Sequence, residues 1–189
     1  NLHGLADTGE WYGQRDPSNG SRGTDYPVAL RTQDVLKGGR TPEIIFSEAC
    51  YGAFIYKKTA ENSLALKFLS SGCRALVGST VMSYGSISTP LNAADLLGTA
   101  FWKNLKEGLS AGEALRRAKI HLAGEMDERQ GYLDGEDQKT LISFVLYGDP
   151  LAKIAESGIG SIIGHKREKT FVRTTETIPE VKTVCDRSE

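Results

Sequence analysis
The sequence predicts an α/β domain built on a mostly parallel sheet, and three observations lead there. Two short apolar runs, Ile44-Ile45-Phe46 and Ala75-Leu76-Val77, are too brief for helices and read as buried strands. Around them lie stretches whose apolar residues recur at three and four, the period of a helix packed along one side. Strand and helix in alternation imply right-handed crossovers between parallel neighbours.

Composition limits what such a domain can do. A chain of 189 residues holds one domain with a proper core, plus a tail. With 23 basic against 24 acidic residues there is no electrostatic case for nucleic acid or an anionic membrane as partner. No apolar run approaches the ~18 residues of a membrane span, and the first residues do not read as a signal peptide. Cys50, Cys73 and Cys185 form no close pair, which fits neither a disulfide framework nor a zinc site. No metal and no cofactor is expected.

In chain order, Asn1-Leu2-His3-Gly4 reads as the end of a strand running into a glycine turn. Residues 5–27 read as a long polar loop, and a loop of that length in a compact domain usually has a use. Trp11, or Tyr12 beside it, can wall a subsite; equally, these aromatics can pin the loop to the core. The acids in this loop match no calcium-loop spacing. Thr32–Leu36 suggests a short helix capped by Thr32 and ended by Gly38-Gly39. Thr59-Ala60-Glu61-Asn62 opens a helix with Leu64, Leu66, Phe68 and Leu69 on its apolar side, closed by Gly72. After the second strand, Thr89-Pro90 starts a helix carrying Leu91, Ala94, Leu97, Phe101 and Leu105. Ser110-Ala111-Gly112-Glu113 is a capping box for the next helix. His121 in that helix reads as a surface or packing residue. Residues 124–140 read as a charged loop, and Leu141–Leu146 as a further strand turning at Gly148-Asp149-Pro150, where Asp149 is a turn residue. From Gly158 the text changes character. The expected division is a domain over 1–155, then a linker, tail or start of a β-domain over 156–189.

The chemistry centres on Cys50. It stands just past the carboxyl end of the first buried strand, where open α/β sheets place their ligands. A free cysteine is also, commonly, a small buried hydrophobe. His3, 47 residues earlier at the end of its own strand, supplies an imidazole able to take the thiol proton. Gly4 lacks a Cβ, so its backbone can come close to a substrate and its N–H can join that of Cys50 in an oxyanion hole.

His-Gly after one strand and Glu-Ala-Cys-x-Gly after the next resemble the caspase–hemoglobinase group of cysteine peptidases. In caspases the catalytic histidine lies ~50 residues before the cysteine. The strand end Gly78-Ser79-Thr80, the helix pair after it and the closing Gly148-Asp149-Pro150 are most similar to gingipain-type peptidases and CHAT domains. The likeness spans roughly residues 1–153. It implies a three-layer caspase-like α/β/α sandwich that lacks its first strands here, so the missing N-terminal part of the same domain is an expected partner beside the polypeptide substrate.

The resemblance also implies that Ser83-Tyr84-Gly85 lines the substrate channel. Caspases place an aspartate-binding arginine there, and Gly85 in that position argues against aspartate at the cleaved bond. Glu48 matches the specificity-pocket position that legumains fill with Glu. It implies Arg or Lys at the cleaved position, with Asn second, through charge-assisted hydrogen bonds; a structural ion pair is the plainer role for it. The expected activity is therefore a cysteine endopeptidase working through His3 and Cys50. The alternatives are a catalytically silent caspase-like or CHAT scaffold that binds proteins, and, more weakly, a glutaminase-type thiol hydrolase. A gingipain-like protein implies secretion, a CHAT-like one the cytoplasm.

Overall fold
The computed structural model describes residues 2–16, 18, 20, 22–37, 39–86 and 88–154. Both predicted strands are present: β5 (Ala75–Ser79) is buried throughout, whereas β4 (Ile44–Ser47), an edge among the described strands, is half-buried up to Ser47. They pair in parallel, Ile44 opposite Ala75 and Ser47 opposite Gly78. On the far side of β5 lies β6 (Phe144–Gly148), antiparallel to it. This sheet is thus mixed rather than mostly parallel, because β6 returns directly from a helix lying against the end of β5 and needs no crossover.

All five residues of β5 are buried, as a central strand covered on both faces requires. Side chains alternate strictly across the sheet. Ile44, Phe46, Ala75, Val77, Phe144 and Leu146 belong to one hydrophobic cluster, with helices α2 (Ala93–Lys106) and α3 (Ala111–Gln130). Ile45, Leu76, Val145 and Tyr147 belong to another, with α1 (Leu64–Ser70) and Trp11. Phe101 of α2 is fully buried, its ring 5.1 Å from that of Phe46, which in turn stacks 5.5 Å from Phe144.

The stretch expected to be a long polar loop, residues 5–27, holds one short strand, and a second follows directly after it. β1 (His3–Gly4), β2 (Glu10–Tyr12) and β3 (Val28–Arg31) form a separate antiparallel sheet. Their residues are mostly half-exposed or exposed, so alternation is weak; the buried Trp11 ring, packed against Phe68, anchors them. A single turn of 3-10 helix, Thr32–Asp34, replaces the helix expected at Thr32–Leu36, with Arg31 rather than Thr32 at its cap.

Helix boundaries moved as well. α1 opens at Leu64 because Ser63 caps it through the Leu66 N–H, four residues after the expected start. α2 opens after Asn92 and not at Thr89-Pro90. Ser110 does precede α3, yet its side chain makes no cap bond; Glu113 instead pairs with Arg116 and Arg117. The supposed charged loop over 124–140 is largely helical. α3 runs on to Gln130 and ends at Gly131 in the left-handed region (φ 78°). Glu125 and Arg129 pair across its last turns, while Met126 is buried. A capping box at Asp134 then starts α4 (Gly135–Ser143). The strand expected from Leu141 begins only at Phe144. Asp149 is held structurally, bonded to Arg74 at 2.8 Å and accepting from the Leu151 N–H. His121 is exposed on α3. The described elements all fall within one unit spanning residues 1–155; the stretch expected to be a linker or tail, 156–189, lies outside the described residues. No helix of the described residues is long and apolar enough to cross a membrane.

Candidate active site
Past β4 the chain turns sharply and is bonded onto the end of β5. The N–H of Tyr51 donates to Val81 O (2.8 Å), that of Gly52 to Ala49 O (2.9 Å), and that of Ala53 to Ser79 O (2.9 Å). Tyr51 sits in the left-handed region (φ 55°), a conformation that non-glycine residues adopt at a cost and only where surroundings impose it. Cys50 is thereby displayed, half-buried, at the head of the turn. Its sulfur faces the backbone of Ser83. The Ser83 N–H donates to Sγ at 3.4 Å, and Sγ lies 3.5 Å from Ser83 O. Ser83 Oγ donates to Glu48 O at 2.6 Å, which fixes the segment against the cysteine turn.

β1 brings His3 and Gly4 to the same place. A Cβ on Gly4 would run into the carbonyl oxygen of Cys50, so the approach of these two backbones requires glycine. His3 Nε2 lies 3.4 Å from Gln14 Oε1, and the ring meets Tyr26 edge-on with centroids 5.1 Å apart. Two cavities open here, and His3, Cys50, Ser83 and Tyr84 line both.

The smaller cavity, about 140 Å³, is walled further by Glu48, Gly85 and Asp95. Asp95 stands in the first turn of α2 and accepts from the Ser86 N–H at 2.7 Å. Its carboxylate occupies the space that a side chain on Gly85 would need. Glu48 keeps exposed surface as a whole residue, but its carboxyl end packs against α2, with Oε1 2.6 Å from where a Cβ on Gly98 would stand. Burial, then the charge of Asp95 and a hydrogen bond with it, push the Glu48 carboxyl up to about 7. The cavity floor is therefore a pair of carboxyl groups, one of which takes up a proton near neutrality.

The larger cavity, about 520 Å³, is walled by Leu5, Tyr12, Tyr26, Tyr51 and Met82. Among the described residues no three His, Cys, Asp or Glu side chains converge as a metal site.

Of the candidates from sequence, His3, Gly4, Glu48, Cys50, Ser83, Tyr84 and Gly85 thus surround one cleft. Trp11 does not: it is 8% exposed, packed in the core, and lines neither cavity at Cys50, whereas its neighbour Tyr12 does. Asp95 was missed because it lies inside a helix read for its apolar side. Its acidic character in a first turn was the only signal. Tyr26, Tyr51 and Met82 carried no signal at all.

The sequence model of peptidase family C25 matches residues 21–155, well over half the chain. The matched stretch contains Glu48, Cys50, Ser83–Gly85 and Asp95. No curated protein matches significantly.

Proposed function
Since the chain belongs to peptidase family C25, a family of cysteine peptidases, we propose that it is an endopeptidase in which Cys50 is the nucleophile and His3 its proton carrier. The observation that carries this reading is their convergence from separate sheets onto the same two cavities, one of them floored by carboxyl groups. The thiol proton passes to the imidazole and Sγ attacks the carbonyl carbon of the scissile bond. The N–H groups of Gly4 and Cys50 hold the oxyanion. Imidazolium gives its proton to the departing amine, leaving a thioester on Cys50. Water, deprotonated by His3, then attacks the thioester and releases the acid product.

The substrate strand lies along Ser83-Tyr84-Gly85 with the side chain before the cleaved bond in the acidic cavity. Two carboxyl groups there favour Arg or Lys; with Glu48 protonated, the pair offers both a donor and an acceptor, which suits Asn second. The domain is read as a caspase-like three-layer sandwich. β4 is an edge of its sheet among the described strands, and further strands of the same domain would pair there.

The test is a fluorogenic peptide panel varying only the residue before the bond, with Cys50→Ala beside the unaltered protein. Turnover at Arg or Lys that vanishes in the variant supports the proposal, and turnover at Asn alone would keep the mechanism but remove the basic preference. No turnover, with no labelling of Cys50 by a peptidyl electrophile, would leave a protein-binding scaffold as the better reading.

A further inference from the structure
The acidic cavity accounts for one side of the scissile bond, and nothing so far accounts for the larger apolar one. We propose that this cavity is a subsite for an apolar or aromatic side chain on the leaving-group side, directly after the cleaved bond. The inference rests on the peptidase reading above.

Three observations carry it. The two cavities share the boundary formed by His3, Cys50, Ser83 and Tyr84, so a peptide whose scissile carbonyl sits at Cys50 passes from one into the other. The apolar cavity is built around the histidine's own strand: Gly4 and Leu5 follow His3 and line it, and Tyr26 meets the imidazole edge-on. His3 is the group that protonates the departing amine, so the residue carrying that amine enters on this side. Finally, outside the catalytic pair His3 and Cys50 no acidic or basic side chain lines it, and Leu5, Tyr26 and Met82 are each about half exposed (54, 56 and 46%). Exposed apolar side chains gathered around one opening mark a binding surface. A volume of about 520 Å³ admits a Phe, Tyr, Leu or Met side chain, and burial of a charged one is disfavoured.

The test uses quenched peptides of fixed sequence before the bond, with the residue that the panel selects, and Phe, Leu, Gly, Asp or Lys after it. A coumarin amide with the same residue before the bond has no amino acid after it and reports peptidase activity separately. The expected result is kcat/KM on the order of tenfold or more higher for Phe and Leu than for Gly, and lowest for Asp. That ratio, measured within each variant and so independent of its folded fraction, falls toward one in Met82→Ser and Tyr26→Ser. A hydrolysed coumarin amide with indifference after the bond overturns the subsite and spares the peptidase reading. An apolar preference two residues before the bond, or one that both variants retain, also overturns it. Silence toward every substrate overturns both.

Discussion
Replacing Glu48 by Gln removes the one carboxyl of the acidic cavity that titrates near neutrality while keeping its shape. With the Glu48 carboxyl held at about 7, roughly 3% of it is ionised at pH 5.5 and roughly 97% at pH 8.5, a span of about thirtyfold. An ionised Glu48 adds a charge-assisted hydrogen bond to an Arg side chain and gives Asn no such gain. The quantity to follow is the ratio of kcat/KM for Arg over Asn substrates, because pH effects on the chemistry common to both substrates cancel in it. It should climb about tenfold between pH 5.5 and 8.5, with a midpoint near 7, since kcat/KM reports the free enzyme. In Glu48→Gln it should be flat. A flat ratio in the unaltered protein, or a slope that survives the substitution, refutes the assignment. Stability gives a second readout with a definite sign. A carboxyl raised in the folded state favours folding below its unfolded value, near 4.5, and that contribution is lost as pH rises through about 7. Glu48→Gln should therefore match the unaltered protein at pH 4 and exceed it at pH 8.5. The excess is on the order of 1 kcal/mol, once screening of this partly exposed side chain is allowed for.

Other substitutions test other parts of the argument. Gly4→Ala forces the Cys50 backbone away and should cut turnover by about 100-fold or more in a single-turnover assay. Gly124→Ala, in an exposed turn of α3 with nothing near the new methyl, should raise stability by about 0.5–1 kcal/mol in urea unfolding. Phe101→Ala empties the centre of the α2-side core and should cost about 3–5 kcal/mol by the same measurement. Asp149→Asn loosens an exposed pair with Arg74 and should cost less than ~1 kcal/mol, with kcat unchanged.

What could be read from the sequence was what is encoded by neighbours along the chain. β4 and β5 announce themselves because consecutive residues are apolar, and Cys50 is visible because it closely follows such a run. The last turns of α3 did not, since Glu125, Asp127, Glu128 and Arg129 face solvent and only Met126 betrays a core face. β2 and β3 are three and four residues long, too short for a period to emerge. The acidic cavity was half legible: Glu48 stands beside the cysteine in sequence, but Asp95 reaches it only through the packing of α2 on β4. The apolar cavity draws on five separated segments, and no local pattern marks such a meeting.

The Ser83 backbone that faces the Cys50 sulfur is joined to β5 by three residues, Thr80 to Met82, and Val81 is itself bonded to Tyr51. That tether has no slack. Deleting one residue from it would drag the Ser83 peptide by about the rise of a strand residue, ~3.3 Å, or else slip β5 by one place and turn Leu76 toward the wrong core. Length is thus a stricter requirement than identity between 80 and 82, and the spacing from buried strand to substrate channel acts as the molecule's ruler.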